Sequence, residues 1–170
     1  SSDAITGTPW AVQVNGIQWM VPMPNGLVVL TGLGAWQLSG GSQNAAITPS
    51  SQTATPQAYN GCSPTVPPIK IDYDIIYVQA KGSIYRDLSY NFFTNIYTGA
   101  DLTVTSSHLF KNYTIREHAW AEEPYKMLWA VRNDGTLLSM TFLKQEISGV
   151  ANINAWARHD TDGLFQSIAS

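Results

Sequence analysis

The sequence predicts an all-β chain assembled from repeated hairpin units. Three observations carry that expectation: short segments that alternate apolar and polar residues, three hairpins closed by glycine turns, and a near-regular spacing of those turns. The turn glycines Gly26, Gly82 and Gly135 lie 56 and then 53 residues apart. A hairpin recurring at about 50 residues marks a blade of a β-propeller or of a related β array.

In chain order, WAVQV from Trp10 reads as a strand that flanks the first hairpin, in which IQWMVP from Ile17 meets GLVVLT from Gly26 across Met23, Pro24 and Asn25. GAWQL from Gly34 follows as a further partner. The second hairpin joins DIIYVQ from Asp74 to SIYRDLSY from Ser83 across Ala80, Lys81 and Gly82. In the third, MLWAVR from Met127 meets TLLSMTF from Thr136 across Asn133, Asp134 and Gly135. Glycine at each turn accepts the positive φ that tight hairpins demand. Each first strand carries an aromatic before its turn, at Trp19, Tyr77 and Trp129, and Trp36 and Trp156 occupy matching late-strand contexts. IREHAWA from Ile115 precedes the third hairpin; INAWARH from Ile153 follows it and is expected to turn at Asp160 to Gly163 into a last strand, LFQSIA. DLTVTSSHLF from Asp101 is the one predicted helix, short and capped by Asp101.

Residues 39–68 differ in kind: 22 of these 30 are Ser, Thr, Asn, Gln, Gly or Pro, and none is charged. Solvated linkers are usually charge-rich, so the segment is read as an extended arm packed on a surface, anchored by Ile47, Tyr59 and Val66. With 170 residues, 44% of them apolar, the expectation is one β domain spanning residues 1–170, or a propeller fragment, with the arm inside it.

Charge narrows the function. Only 12% of residues are charged, about half the roughly 25% of an average soluble domain. The distribution is sharper still, because Asp3 is the one charged side chain before Lys70. A net charge of −3 without clustered Lys and Arg argues against specific nucleic-acid readout. No apolar run approaches the roughly 20 residues that cross a bilayer, and SSDAITGTPW lacks the basic start of a signal peptide. If the whole gene product is shown, the expectation is a protein that is cytosolic or released by lysis. Cys62 is read as a small apolar filler.

Few groups offer chemistry. Ser106, His108 and Asp101 have the residue types of a triad, but a Ser and a His two positions apart on a helix do not face one point. HDTDG, from His159, resembles the start of a calcium loop without its later ligands and is read as a turn. Glu122 and Glu123 are adjacent and point to opposite faces of a strand. Gly32, Gly34, Gly40 and Gly41 lack the Lys and helix of a phosphate loop, and Asn112-Tyr113-Thr114 matters as a glycosylation acceptor only after secretion. The expectation is a protein that is not an enzyme and holds no cofactor or metal. Six Trp and eight Tyr leave a glycan-stacking surface open as an alternative to core and subunit contacts.

The stretch PYKMLWAVRNDGTLLSMTFLKQE, followed by AWARHDTDGLFQSIA, resembles a segment common in virion proteins of tailed bacteriophages. The matching positions are Trp129, Arg132, Asp134, Gly135, Leu137, Thr141, Trp156, Arg158, His159 and Gly163; GAWQLSGG with Trp36, ITPSSQ, IIYVQAKGSIYRDLSY and DLTVTSSHLF resemble the family in the same order. The resemblance implies a β-propeller protein of the tail nozzle or DNA-stabilisation kind in short-tailed phages. It implies a homo-oligomeric ring docked to other tail or portal-proximal subunits in the virion, made in the host cytoplasm. It also implies that the motif residues serve turns and blade packing. Three blades are fewer than the four to eight that close a propeller, so the chain is expected to be part of a larger one. The alternative is a tail-associated adhesin that binds a host glycan.

Overall fold

A computed structural model describes residues 16–42, 45–91, 93, 96–144 and 153–170. It divides into two compact units, one of Ser1–Ala80 with Asp87–Ala100, the other of Lys81–Arg86 with Asp101–Ser170. The all-β expectation holds: the described residues form three four-stranded antiparallel sheets and one short helix.

The first unit holds a sheet of β1 (Ile17–Met23), β2 (Gly26–Thr31), β3 (Ala35–Ser39) and β4 (Thr53–Ala58), each paired with the next in sequence. Pro24 and Asn25 form the first turn, after which Met23 pairs with Gly26. Gly26 is needed there twice over. Its φ is 134°, and a Cβ would stand 2.2 Å from the Leu38 carbonyl oxygen of β3. The second turn is closed by Thr31, whose hydroxyl donates to the Gly34 carbonyl at 2.9 Å and accepts from Gly34 N–H at 3.0 Å.

β4 arises inside the Ser, Thr and Pro-rich segment, where TATPQA carries no apolar alternation. Edge position explains how it forms, since an edge strand tolerates Pro56 and needs no buried face. Of the expected anchors, Val66 is fully buried and Ile47 half-buried, whereas Tyr59 is 87% exposed and anchors nothing. Cys62 takes that place. It is fully buried, its N–H donates to the Thr31 carbonyl, and it bridges to Gln79. Gly61 beside it crosses so close to Gly32 that no Cβ fits.

The second sheet, also in this unit apart from Tyr85 and Arg86, runs β5 (Ile69–Ile71), β6 (Asp74–Val78), β7 (Tyr85–Asn91) and β8 (Ile96–Thr98). Every residue of β6 is buried, which its DIIYV composition anticipates. Both sheets share one core: Val21, Met23, Val28 and Leu30 from the first pack with Ile75, Tyr77, Leu88 and Tyr97 from the second. Burying each such aliphatic side chain contributes about 1.5–3 kcal/mol. Trp19 lies partly buried against this core and donates its indole N–H to the Ser63 carbonyl at 2.8 Å.

The second unit contains β9 (Ile115–Ala121), β10 (Met127–Arg132), β11 (Leu137–Leu143) and β12 (Ile153–His159), in the spatial order β12-β11-β10-β9. Leu128, Ala130, Leu138 and Met140 form one fully buried face. The predicted helix is a 3₁₀ turn over Val104–Leu109, and its cap is Thr103. Asp101 instead closes the turn ahead of it, accepting from Thr103 N–H at 2.7 Å and from its hydroxyl at 2.6 Å. The β-branched Thr103, Val104 and Thr105 disfavour a longer α-helix. LFQSIA does not form a strand; it runs as a strap beside β9, tied by side chains rather than by a backbone ladder. The Trp10 segment lies outside the described residues.

Candidate functional site

The turn between β10 and β11, Arg132 to Thr136, gathers the densest polar contacts in the second unit. Gly135, at φ 78°, lets the chain reverse tightly. The turn is then locked from within: Gly135 N–H donates to the Arg132 carbonyl and Arg132 N–H to the Thr136 carbonyl, each at 3.0 Å. Arg132 is only 4% exposed, unusual for a side chain that cannot shed its charge. Its guanidinium forks onto Asp134, with Nε donating to Oδ1 at 3.0 Å and Nη2 donating to Oδ2. Nη2 also reaches the Thr136 hydroxyl, Nη1 donates to the Leu109 carbonyl at 2.6 Å, and the guanidinium carbon sits 3.7 Å from the centre of the Tyr113 ring.

This arrangement explains both a buried charge and a strong acid. The Arg132 hydrogen bond, helped by the Thr136 N–H and hydroxyl, pulls the Asp134 carboxyl down to about 2 from an ordinary 3.8. Asn133 extends the lock: its N–H donates to the Thr114 carbonyl at 2.8 Å and its side-chain oxygen accepts from Thr114 N–H at 3.2 Å. One turn of five residues therefore fixes the 3₁₀ helix end, the loop at Tyr113 and Thr114, and two strands. All three guanidinium nitrogens of Arg132 are engaged, so the group is suited to hold a shape rather than to move a proton.

Other motif residues fall into separate places. His159 accepts or donates at Nε2 with the Ser139 hydroxyl, 2.7 Å away, and its ring lies 5.2 Å from that of Trp129. Ser139 and His159 have the spacing of a nucleophile and its base, but among the described residues no carboxylate is bonded to the imidazole to orient it. Trp156 sits on the opposite face of the sheet, packed on Phe110 at 4.7 Å and Tyr85 at 5.2 Å, with its indole N–H donating to the Leu102 carbonyl at 2.8 Å. Tyr85 is wholly buried, which pushes its phenol well above the usual range, and its hydroxyl meets His118 Nδ1 at 3.0 Å. Arg158 pairs with Asp160 on the surface, Gly163 stands in open space, and Trp36 belongs to β3 in the first unit.

The structure thus brings Arg132, Asp134 and Gly135 together, and Trp129 with His159, but not the whole motif. Ser139, Leu109, Tyr113 and Tyr85 complete these groups, although no sequence spacing connects them to the motif residues they meet. Only the Thr of DGT hinted that the turn would recruit a hydroxyl. Asp101, His108 and Ser106 do not form a triad, since Asp101 is engaged by Thr103. Among the described residues no group of three His, Cys, Asp or Glu side chains is placed to hold a metal ion. No helix among them is long and apolar enough to cross a membrane. Compared with models of known protein families and with curated proteins, the chain matches none.

Proposed function

We propose that this chain is a structural component of a short-tailed bacteriophage tail, of the nozzle or head-to-tail DNA-stabilising kind, working by self-assembly and docking to other tail subunits rather than by catalysis. The observation that carries the reading is a first stretch nearly without charge: Asp3 is the one charged side chain before Lys70, while Ile17 and Met20 are each 60% exposed in the same stretch. Such a surface packs against protein without the desolvation penalty of burying ions. The meander sheets supply blade-like units for a ring, and the phage-like motif residues Arg132, Asp134 and Gly135 serve to fix one of them. The net negative charge also suits a wall past which DNA must slide without sticking.

Mass spectrometry of purified particles and of the lysate left behind tests the proposal. Enrichment with the tail proteins is the expected result, and recovery only in the soluble lysate would overturn it. Exposed rings at Tyr59, Tyr73 and Tyr125 favour the glycan-binding adhesin as second reading. It predicts that host polysaccharide binds the purified chain and that Tyr→Ala changes at these positions abolish binding.

A further inference from the structure

The strap that follows β12 is held in an unusual way. β9 is an edge strand among the described residues, and such edges invite another strand. Here the strap runs beside β9 in the same direction. Phe165 N–H donates to the Gly135 carbonyl at 2.9 Å, and Arg116 Nη2 donates to the Phe165 carbonyl at 3.1 Å and to the Gln166 carbonyl. Glu117 then accepts from the Ser167 hydroxyl at 3.1 Å and from Ile168 N–H at 3.2 Å, and the Ser170 hydroxyl donates to the Trp120 carbonyl. Leu164 rests on Gly135, where a Cβ would come within 2.7 Å of it.

Two properties make this contact portable. Its recognition is local and complete, since Arg116, Glu117 and Gly135 read the strap without help from the connector. The connector itself, Asp160 to Gly163, is exposed at every position, and a Cβ added at Gly163 would meet nothing within 4 Å. A strap from a second copy makes the same bonds, and only the path of the connector changes.

We infer that the β9 edge is a docking groove whose partner is the Leu164–Ser170 strap of a second copy of this chain, so that copies join by exchanging straps. This rests on the proposed self-assembly and names the element that performs it. The groove selects for an extended peptide with an apolar start, free carbonyls opposite Arg116 and a hydroxyl and N–H opposite Glu117.

Mixed cross-linking tests the inference on the full chain. One version carries Ala121→Cys, a second carries Ala169→Cys, positions beside the Ser170–Trp120 contact whose side chains make none of the strap's bonds, and native Cys62, being fully buried, stays silent toward a short bis-maleimide. Refolded together, the two versions give a covalent heterodimer only if the strap of one lies on β9 of the other; random pairing makes about half of all exchanged dimers mixed. A third version bearing both cysteines reports the closed arrangement as an internal link. The expected result is a heterodimer whose yield rises with protein concentration, and rises further when Thr161 and Asp162 are deleted from the connector, because a short connector hinders closure on its own chain. Complete internal linking with no heterodimer at any concentration would overturn the exchange whatever the oligomeric state. Absence of the internal link would overturn the groove itself. Neither outcome depends on whether the protein is found in virions.

Discussion

Replacing Arg132 with Ala is the sharpest probe of the turn that organises the second unit. The change removes a donor to the Leu109 carbonyl, whose charge-assisted bond is worth about 1.5–3 kcal/mol. The pair with Asp134 adds less, about 1 kcal/mol or under, because the carboxylate side chain is 33% exposed and screened by solvent. The face of Tyr113 contributes about 0.5–2 kcal/mol. These interactions share one guanidinium and do not add in full, so the expected loss is about 3 kcal/mol. In a chain of this length that lowers Tm by about 6–12 °C. Urea unfolding followed by Trp fluorescence, with the m-value held as a check, measures it directly. Arg132→Lys keeps the charge but not the fork, and about half the loss is expected for it. A loss below about 1 kcal/mol for Arg132→Ala would refute the view that this turn locks the unit.

Further predictions follow from the same geometry. Asp134→Asn tests the acid side: because the folded pKa, about 2, lies below the ordinary 3.8, the carboxylate stabilises above pH 4 and that stability is lost as pH falls toward 2. The wild type is therefore expected to exceed Asp134→Asn by about 1 kcal/mol at pH 7, with the gap closing near pH 2 in parallel denaturation curves. Gly135→Ala places a Cβ at positive φ and against Leu164, and a loss of about 1–3 kcal/mol is expected in thermal melts. Trp19→Phe leaves the Ser63 carbonyl without its indole partner and should cost about 1 kcal/mol by urea unfolding. Burial pushes the Cys62 thiol up to about 12, so a thiol reagent at pH 8 should label it only after denaturation.

The hairpins were legible because their signals are local. Gly26, Gly82 and Gly135 announce positive φ, and all three adopt it. The runs IREHAWA and INAWARH alternate clearly enough to be seen as strands, and both are. β4 was hidden because an edge strand needs no apolar pattern, and Pro56 points away from strand. Tyr59 was misread for the opposite reason: an aromatic flanked by small polar residues looks like an anchor, but the backbone crossing at Gly61 and Gly32 directs Cys62 inward in its place. LFQSIA alternates like a strand, yet the bonds that place it come from Arg116 and Glu117, some 50 residues earlier in sequence. The candidate site was legible only in part. RNDGT reads as a turn, but the burial of Arg132 depends on Leu109 and Tyr113, which no spacing rule connects to it. The Ser139–His159 pair likewise exists only through the register of β11 with β12.

The central claim, a structural place in a phage tail, is tested most directly by electron cryomicroscopy of purified particles. The account predicts density for these blade-like sheets in the tail, with the nearly uncharged first 69 residues turned toward neighbouring subunits. Particles whose tail density leaves no room for them, or in which that stretch faces solvent, would contradict it.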